Sequence, residues 1–281
     1  MITHHARISP TAKLVAFLCA ESGIPYCREI ATLCDAATAT RTLLGGDPGL
    51  IADRRRIRVE LRFRSINELV QKLGITQVLE LASGVSPRGL ILSEDPSMTV
   101  VETDLPEMIA EKCEIVESLI SLSERKNYHL WAANALHSNE LWNAVGVFRQ
   151  KPITVVQSGL LQYLDESERK QLTTNIVCLL RHFGGVWVNP DINVRERYDR
   201  YYANTAENHV LKSVHETTGR DLVQNCFADW DAAVKFFEEE GFSVERFKQI
   251  NLVPELRDRV SDPATLKRVE FEEVWALRLR P

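Results

Sequence analysis

Two kinds of hydrophobic pattern divide the chain near residue 75. Before that point apolar residues recur at helical spacing and predict helices over 9–20 and 25–36, followed by a third that ends at Gly74. Residues 56–64 alternate strictly between polar and apolar, which is the period of a strand, yet they lead directly into the third helical rhythm. The pattern leaves the state of 56–64 open. Residues 1–75 are predicted to form an N-terminal helical extension, or lid.

Short apolar runs alternate with helical stripes after residue 75. The runs predict strands near residues 77–81, 99–103, 128–131, 153–156, 186–188, 243–250 and 271–279. The clearest helix begins at a capping box of Asp165 and Glu168 and ends before Gly184. Alternation of this kind predicts an α/β fold for 76–281, a doubly wound and mainly parallel seven-stranded sheet with helices on both faces. The pattern predicts no helix between the last two strands, which are therefore expected to pair antiparallel at an edge.

Composition narrows the class of protein. The 281 residues are 44% hydrophobic and 26% charged, which excludes disordered and fibrous architectures. The net charge of −5 does not indicate the basic surface that general nucleic-acid binding requires. The arginines within 54–58 are interpreted as a solvated helix face. No apolar run approaches the length of about 18 residues that a membrane span needs. We expect no nucleic-acid partner, no membrane partner and a cytoplasmic location.

The six cysteines predict no metal site. None forms a CxxC pair and no histidine lies at zinc spacing from one. Cys113 and Cys178 fall on the apolar faces of predicted helices, where thiols behave as small hydrophobes. A reducing compartment fits this usage better than a disulfide framework.

A nucleoside site is predicted where the first two strands end, because ligands of doubly wound sheets lie beyond the carboxyl ends of the strands. Gly84 follows the first strand in the position for close backbone approach. Glu102 and Asp104 close the second strand about 20 residues later, where a carboxylate can accept both ribose hydroxyls. The alternatives are an ordinary turn at Gly84 and, for Asp104, a helix cap ahead of Pro106.

The same strings resemble the leucine carboxyl methyltransferase family. VLELASGVSPR (78–88) and VETDLP (101–106) resemble its glycine loop and its E-x-D-x-P string, and SGLLQYL (158–164) resembles its E-G-L-L-x-Y-L motif. The resemblance spans roughly residues 9 to 190. It implies a Rossmann-like class I methyltransferase that uses S-adenosylmethionine, in a family with many bacterial O-methyltransferases of polyketide biosynthesis.

The resemblance also implies which residues bind the cofactor. These are Arg62, Glu80, Ala82, Gly84, Asp104, Asn134, Ala135 and Ser158. Arg62 would reach the methionine carboxylate, the Gly84 backbone would approach the methionine end, and Asp104 would bind the ribose hydroxyls. Asn134 and Ala135 would lie along the adenine edge.

Three of these positions depart from the family pattern. Ala82 stands for the first loop glycine and Asn134 for a loop aspartate, although the side-chain oxygen of Asn134 can still accept from an amino group. Ser158 stands for the glutamate before G-L-L, which removes a negative charge near the cofactor. Ala82 and Ser158 therefore raise the alternative of a cofactor-binding homologue that has lost catalysis and acts as a regulatory or scaffolding subunit.

No catalytic residue is assigned from the sequence. Methyl transfer from a sulfonium is an in-line displacement that depends on alignment, and a carboxylate acceptor needs no base. A hydroxyl acceptor needs one, and the pattern places no histidine in a pocket. The histidines are His4, His5, His129, His137, His182, His209 and His215. Tyr163, within the third motif, is the candidate pocket side chain.

The leading hypothesis is an S-adenosylmethionine-dependent O-methyltransferase acting on a carboxylate or hydroxyl of a small metabolite. A nicotinamide-dependent dehydrogenase of similar topology is the second enzyme class, although the loop lacks the further glycines that a pyrophosphate requires. Substrate contacts are expected from the N-terminal helices and from a long loop over 191–222. That loop carries Arg195, Arg197, Tyr198, Tyr201 and Tyr202. The oligomeric state is not predicted.

Overall fold

The computed structural model describes residues 9–47, 49–201 and 205–281. The strands are β1 Gln77–Leu81, β2 Thr99–Asp104, β3 Tyr128–Ala132, β4 Ile153–Gln157, β5 Gly185–Asn189, β6 Phe242–Lys248 and β7 Glu273–Leu279. The helices are α1 Ser9–Cys19, α2 Cys27–Leu33, α3 Ala36–Leu44, α4 Gly49–Leu73, α5 Arg88–Leu92, α6 Pro106–Leu119, α7 Ser138–Ala144, α8 Glu166–Phe183, α9 Arg195–Tyr201, α10 Thr205–Thr218, α11 Trp230–Glu239, α12 Gln249–Leu252 and α13 Pro263–Val269. In the described part of the chain, 3₁₀ turns lie at Val145–Val147, Leu161–Tyr163 and Pro254–Leu256.

The seven strands form one sheet in the order β3-β2-β1-β4-β5-β7-β6. β1 to β5 are parallel, and β7 lies antiparallel between β5 and β6. This confirms the predicted doubly wound α/β fold and its antiparallel edge pair. Both neighbours of β1 are reached by crossovers that leave in opposite directions, so the carboxyl end of β1 is the topological switch point.

Apolar layers cover both faces of the sheet. Alternate residues of β1 supply them: Val78 packs into one layer, and Leu79 and Leu81 pack into the other. All five residues of β1 and of β4 are buried, as expected for central parallel strands with helices on each side. The core thereby fixes the strand ends on which a ligand site can be built.

Helix α8 follows the sequence closely. The Asp165 carboxylate accepts from the Glu168 amide at 2.9 Å, and the Glu168 carboxylate accepts from the Asp165 amide at 3.0 Å, which completes the predicted capping box. The predicted stripe from Leu172 to Phe183 is buried in the layer behind β4 and β5. The helix gives way at Gly184 to strand β5.

The alternating segment 56–64 is helical, as part of α4. The polar residues of this segment do not form the exposed face of a strand. Several of them make ion pairs with residues of distant elements. Arg58 lies 2.7 Å from Glu272, and buried Glu60 accepts from both terminal nitrogens of Arg259 at 2.7 and 3.0 Å. The prediction of a solvated arginine face over 54–58 is therefore wrong at Arg58, whose side chain is 13% exposed.

Four other expectations are corrected. The helix predicted over 25–36 is the shorter α2, which ends at Leu33, and α3, which begins at Ala36 after Asp35 with its left-handed φ of 47°, lies beyond the predicted range. The loop predicted over 191–222 contains α9 and α10. The connection between β6 and β7 contains α12 and α13, which are too short to give a helical stripe. Cys178 is exposed rather than buried, and Cys113 is half-buried.

Within the described residues, no helix combines the length and the apolar character that a membrane span requires.

Candidate cofactor and active site

A cavity of about 340 Å³ lies at the carboxyl ends of β1, β2 and β4, where helices α1, α2 and α4 form its other wall. Its lining includes all eight cofactor-binding residues that the family resemblance implies, together with the pocket candidate Tyr163: Arg62, Glu80, Ala82, Gly84, Asp104, Asn134, Ala135, Ser158 and Tyr163. Residues up to 101 positions apart in sequence are therefore assembled around one space, whose volume falls within the range of small-molecule sites.

The loop after β1 and the end of β2 are joined by one carboxylate. Asp104 accepts from the Gly84 amide at 2.6 Å through Oδ2 and from the Leu105 amide at 2.8 Å through Oδ1. Leu105, not Asp104, is the N-cap of α6, so the helix-cap alternative for Asp104 is wrong. Burial raises the pKa of Asp104, and the two amides oppose that shift. Each carboxylate oxygen keeps a second lone pair for a ligand hydroxyl.

Glu102 takes no part in such a contact. Its side chain is fully buried between sheet and helices, where it lies 2.7 Å from the Lys112 ammonium. It also accepts from the Tyr128 hydroxyl at 2.5 Å and from the Gly89 amide at 2.9 Å. Of the two acids that close β2, therefore, only Asp104 lines the cavity.

Glu80 and Arg88 form a buried ion pair, with Glu80 Oε1 3.0 Å from Arg88 Nε. Burial raises the pKa of Glu80 to about 7 against the opposing effect of Arg88, and the neighbouring Glu102 adds to the increase. Glu80 Oε2 and Ser83 Oγ are buried atoms without a hydrogen-bond partner among the described residues, and both side chains line the cavity. Buried polar atoms of this kind call for a ligand or water partner.

Ala82 adopts a backbone conformation that favours glycine. Its φ is 50°, in the left-handed region, and Gly84 two residues later has φ 53°. A Cβ at Gly84 would lie 3.2 Å from the Ala12 Cβ of α1, so α1 packs closely over this loop. The loop thus keeps the left-handed backbone of a double-glycine turn, and Ala82 is among the residues that line the cavity.

The loop after β3 is fixed by its own hydrogen bonds. The Asn134 amide donates to Glu140 at 2.7 Å, and Asn134 Oδ1 accepts from the Leu136 amide at 3.0 Å. The Ala135 carbonyl accepts from Asn175 at 2.9 Å. Asn134 Oδ1 is therefore already an acceptor within the loop, with one further lone pair for a ligand.

The loop at Ser158 is held by Asp191, an acid that the sequence analysis did not predict as a site residue. Asp191 Oδ2 accepts from the Gly159 amide at 2.6 Å and from the Leu160 amide at 2.9 Å. Asp191 Oδ1 lies 3.9 Å from the Arg62 guanidinium. The carboxylate comes from the segment after β5, 32 residues from Gly159, so no local pattern could reveal it.

Arg220 and Glu168 form a paired group at the wall that also carries Tyr163. The two terminal nitrogens of Arg220 donate to the two oxygens of Glu168 at 2.6 and 2.8 Å. No histidine lines the cavity in the described side chains. His4 and His5 lie outside the described residues, as does the side chain of His209.

The other histidines lie elsewhere. His137 pairs with Glu140 at 2.7 Å. His182 packs edge-on against Trp142. His129 is half-buried on β3, where burial lowers its pKa, and His215 is exposed on α10. None of these four is placed to serve the cavity.

The arginine and tyrosine cluster of residues 195–202 was expected to contact substrate. Those of its side chains that the structure describes do not line the cavity. Arg197 pairs with Glu272 at 2.9 Å, and Tyr198 is buried in an apolar cluster with α1 and α3. Arg195 is exposed, and the side chains of Tyr201 and Tyr202 lie outside the description. Arg220, beyond the end of α10, is the cation of this region that lines the cavity.

Sequence comparison decides the family. Residues 18–177 match the leucine carboxyl methyltransferase family, and the match covers the three motifs and the cavity loops. The chain belongs to this family. The predictions of an S-adenosylmethionine-dependent methyltransferase and of its cofactor are thereby confirmed, and the dehydrogenase alternative is set aside. No curated protein sequence is significantly similar to the chain.

One solved structure supports the fold, and two others are less similar. The methyltransferase domain of bacterial CtHen1 is 13% identical, with a TM-score of 0.50 over 79% of this chain and 98% of that one. An O-methyltransferase family protein from Burkholderia thailandensis is 15% identical over 82% of this chain and 60% of that one, with a TM-score of 0.45. The glycopeptide N-methyltransferase MtfA, solved with S-adenosylmethionine, is 15% identical over 78% of this chain and 87% of that one, with a TM-score of 0.45. Of these three, the first has the highest TM-score and supports the fold.

The residues around the cavity fit the cofactor of the leucine carboxyl methyltransferase family. Two buried polar atoms beside the cavity, Glu80 Oε2 and Ser83 Oγ, have no hydrogen-bond partner among the described residues, and Asp104 presents a carboxylate at the end of β2. Ala82 stands where the family has a glycine, yet its backbone is in the left-handed region, as a glycine at this position could be. Sequence reasoning missed Asp191 and Arg220, whose partners lie 32 and 52 residues away.

Proposed function

We propose that this protein is an S-adenosylmethionine-dependent O-methyltransferase whose acceptor is a carboxylate or hydroxyl of a small metabolite. The observation that carries the proposal is the meeting of all eight nominated cofactor residues in one cavity, with Asp104 joined to the Gly84 loop. A polyketide-type acceptor, a cytoplasmic location and the absence of nucleic-acid or membrane partners belong to the same proposal. So does the role of residues 1–75 as a lid, because α1 and α4 supply one wall.

The cofactor would be held from both ends. Asp104 would accept from the ribose hydroxyls, and Arg62 would pair with the methionine carboxylate. The left-handed loop at Ala82 and Gly84 would bring backbone close to the methionine end. Asn134 and Ala135 would border the adenine. When bound, S-adenosylmethionine supplies an electrophilic methyl group on a sulfonium.

A carboxylate acceptor is supported better than a hydroxyl. Within the described lining no histidine is present, Asp104 accepts from two amides and Glu168 pairs with Arg220. Glu80 pairs with Arg88 through one oxygen and would face the cofactor rather than the acceptor. A carboxylate is already ionised and needs no base, whereas a hydroxyl must lose its proton. The protein's contribution is then alignment and exclusion of water, which can supply about 7–11 kcal/mol.

The acceptor itself would be held between an apolar wall and one cation. The cavity wall from the N-terminal helices includes Val15, Ala16, Ile30, Val59 and Phe63. Arg220 would donate from its guanidinium to the acceptor carboxylate. The acceptor would either replace Glu168 as its partner or bind beside Glu168. An apolar acid of modest size fits this description.

The test is a screen for methyl transfer from labelled S-adenosylmethionine to paired compounds that differ only in bearing a carboxylate or a hydroxyl. The acids are expected to be methylated and the matching alcohols not. Arg220→Ala should raise the acceptor KM without weakening cofactor binding, whereas Arg257→Ala, which removes an exposed arginine paired with Glu270, should change neither. Methylation of the alcohols alone would contradict the carboxylate assignment.

A further inference from the structure

Asp191 occupies an unusual place for an acid. Its side chain is only 2% exposed, and it does not belong to the residues that line the cavity in the described part of the chain. It contacts two parts of the cavity wall from behind: the amides of Gly159 and Leu160, and the guanidinium of Arg62. A buried carboxylate must be paired in this way, because its desolvation is costly.

The position of Asp191 is set by the ends of β4 and β5. Gln157 Nε2 donates to Asn189 Oδ1 at 2.9 Å across the two strands, and both residues are fully buried. The same Asn189 oxygen accepts from the Asp191 amide at 2.9 Å. The carboxylate of Asp191 is thereby directed at the loop that begins with Ser158.

Ser158 is where the family motif has a glutamate, so the loop itself carries no negative charge. We propose that Asp191 supplies that charge from the segment after β5 and is a positioning residue, which holds the Ser158–Leu160 loop and orients Arg62 toward the methionine carboxylate of the cofactor. This inference rests on the proposed function. It also explains how the chain tolerates serine at 158 without losing the shape of the loop, since two consecutive amides remain bound to one carboxylate oxygen.

The test compares two ligands by calorimetry: S-adenosylmethionine and decarboxylated S-adenosylmethionine, which lacks the group that Arg62 would bind. Asp191→Asn should weaken binding of the first by roughly tenfold, because the Arg62 guanidinium, 3.9 Å from Asp191 Oδ1, loses the buried counter-charge that orients it toward the methionine carboxylate. The decarboxylated ligand should lose much less affinity. A merely structural role would weaken both ligands equally.

Two further variants complete the experiment. Glu273→Gln removes another buried carboxylate, one that pairs with Arg246 and Lys248 outside the cavity lining, and it should leave affinity for S-adenosylmethionine unchanged. Ser158→Glu added to Asp191→Asn should recover most of the lost affinity. Thermal unfolding of each variant verifies that the protein tested is folded.

The outcomes separate the two proposals. Folded wild-type protein that binds neither ligand would overturn the proposed function, and this role of Asp191 with it. Wild-type binding combined with equal losses for both ligands in Asp191→Asn, or with no recovery by Ser158→Glu, would overturn the role of Asp191 alone.

Discussion

The Gly84 amide donates to the Asp104 carboxylate over 2.6 Å, so the glycine loop after β1 and the acid at the end of β2 form one unit. The same carboxylate holds the first amide beyond β2 through its other oxygen. A ligand that bonds to Asp104 therefore meets a side chain whose orientation is already fixed, which reduces the entropy lost on binding.

Ala82 provides a direct test of loop strain. A non-glycine residue in the left-handed region costs about 1 kcal/mol or more, whereas glycine adopts it freely. Ala82→Gly is therefore expected to leave the free energy of unfolding unchanged or to raise it, as measured by urea denaturation. It should also bind S-adenosylmethionine at least as well as the wild type, because Ala82 lines the cavity and glycine adds no atom there.

The control for this substitution is Ala39→Gly within helix α3, where the backbone is helical. There the same change should lower stability by about 0.5–1 kcal/mol. If Ala82→Gly destabilises the protein as much as Ala39→Gly does, the loop is not strained at Ala82.

Glu80 should make stability depend on pH. Its folded-state pKa is about 7, raised by burial from an ordinary value of 4.5, so the folded protein binds more protons than the unfolded chain between those values. The free energy of unfolding contributed by Glu80 therefore falls as pH rises from about 4.5 to about 7. Relative to Glu80→Gln, the wild type should lose stability between pH 5 and pH 8 in urea titrations. Parallel curves for the two proteins would show that Glu80 titrates normally.

Lys112 and Glu102 test the cost of breaking a buried pair. Both side chains are almost fully buried and their charged atoms lie 2.7 Å apart. Lys112→Met leaves the Glu102 carboxylate without its counter-charge, which should cost about 3–5 kcal/mol in chemical denaturation. Lys170→Met removes a similar pair with Glu166 at the surface, where water screens it, and should change stability little. Equal losses at both sites would contradict this difference.

The sequence predicts the regular parts of this fold because local pattern decides them. Buried strands such as β1 and β4 are visible as apolar runs, and the capping box of Asp165 and Glu168 marks the beginning of α8. The errors fall where long-range contacts decide. The polar positions of residues 56–64 are explained by ion pairs such as Arg58 with Glu272, 214 residues away, and not by a strand face.

The candidate site divides in the same way. Gly84 and Asp104 stand at strand ends that pattern reveals, and motif resemblance adds Arg62 and Ser158. Asp191 and Arg220 have no local signal, because each acts through a partner from another element of the fold. Their contribution becomes visible only when the ends of β4 and β5 and the start of α8 are brought together.

The central claim is a nucleoside site built on Asp104, and calorimetric titration with S-adenosylmethionine tests it most directly. The wild type should bind S-adenosylmethionine in the micromolar range and NAD not at all. Asp104→Ala should abolish that binding, whereas Glu107→Ala, an exposed acid in the first turn of α6, should retain it. Folded wild-type protein that fails to bind S-adenosylmethionine, or an Asp104→Ala variant that binds it as well as the wild type, would contradict the account.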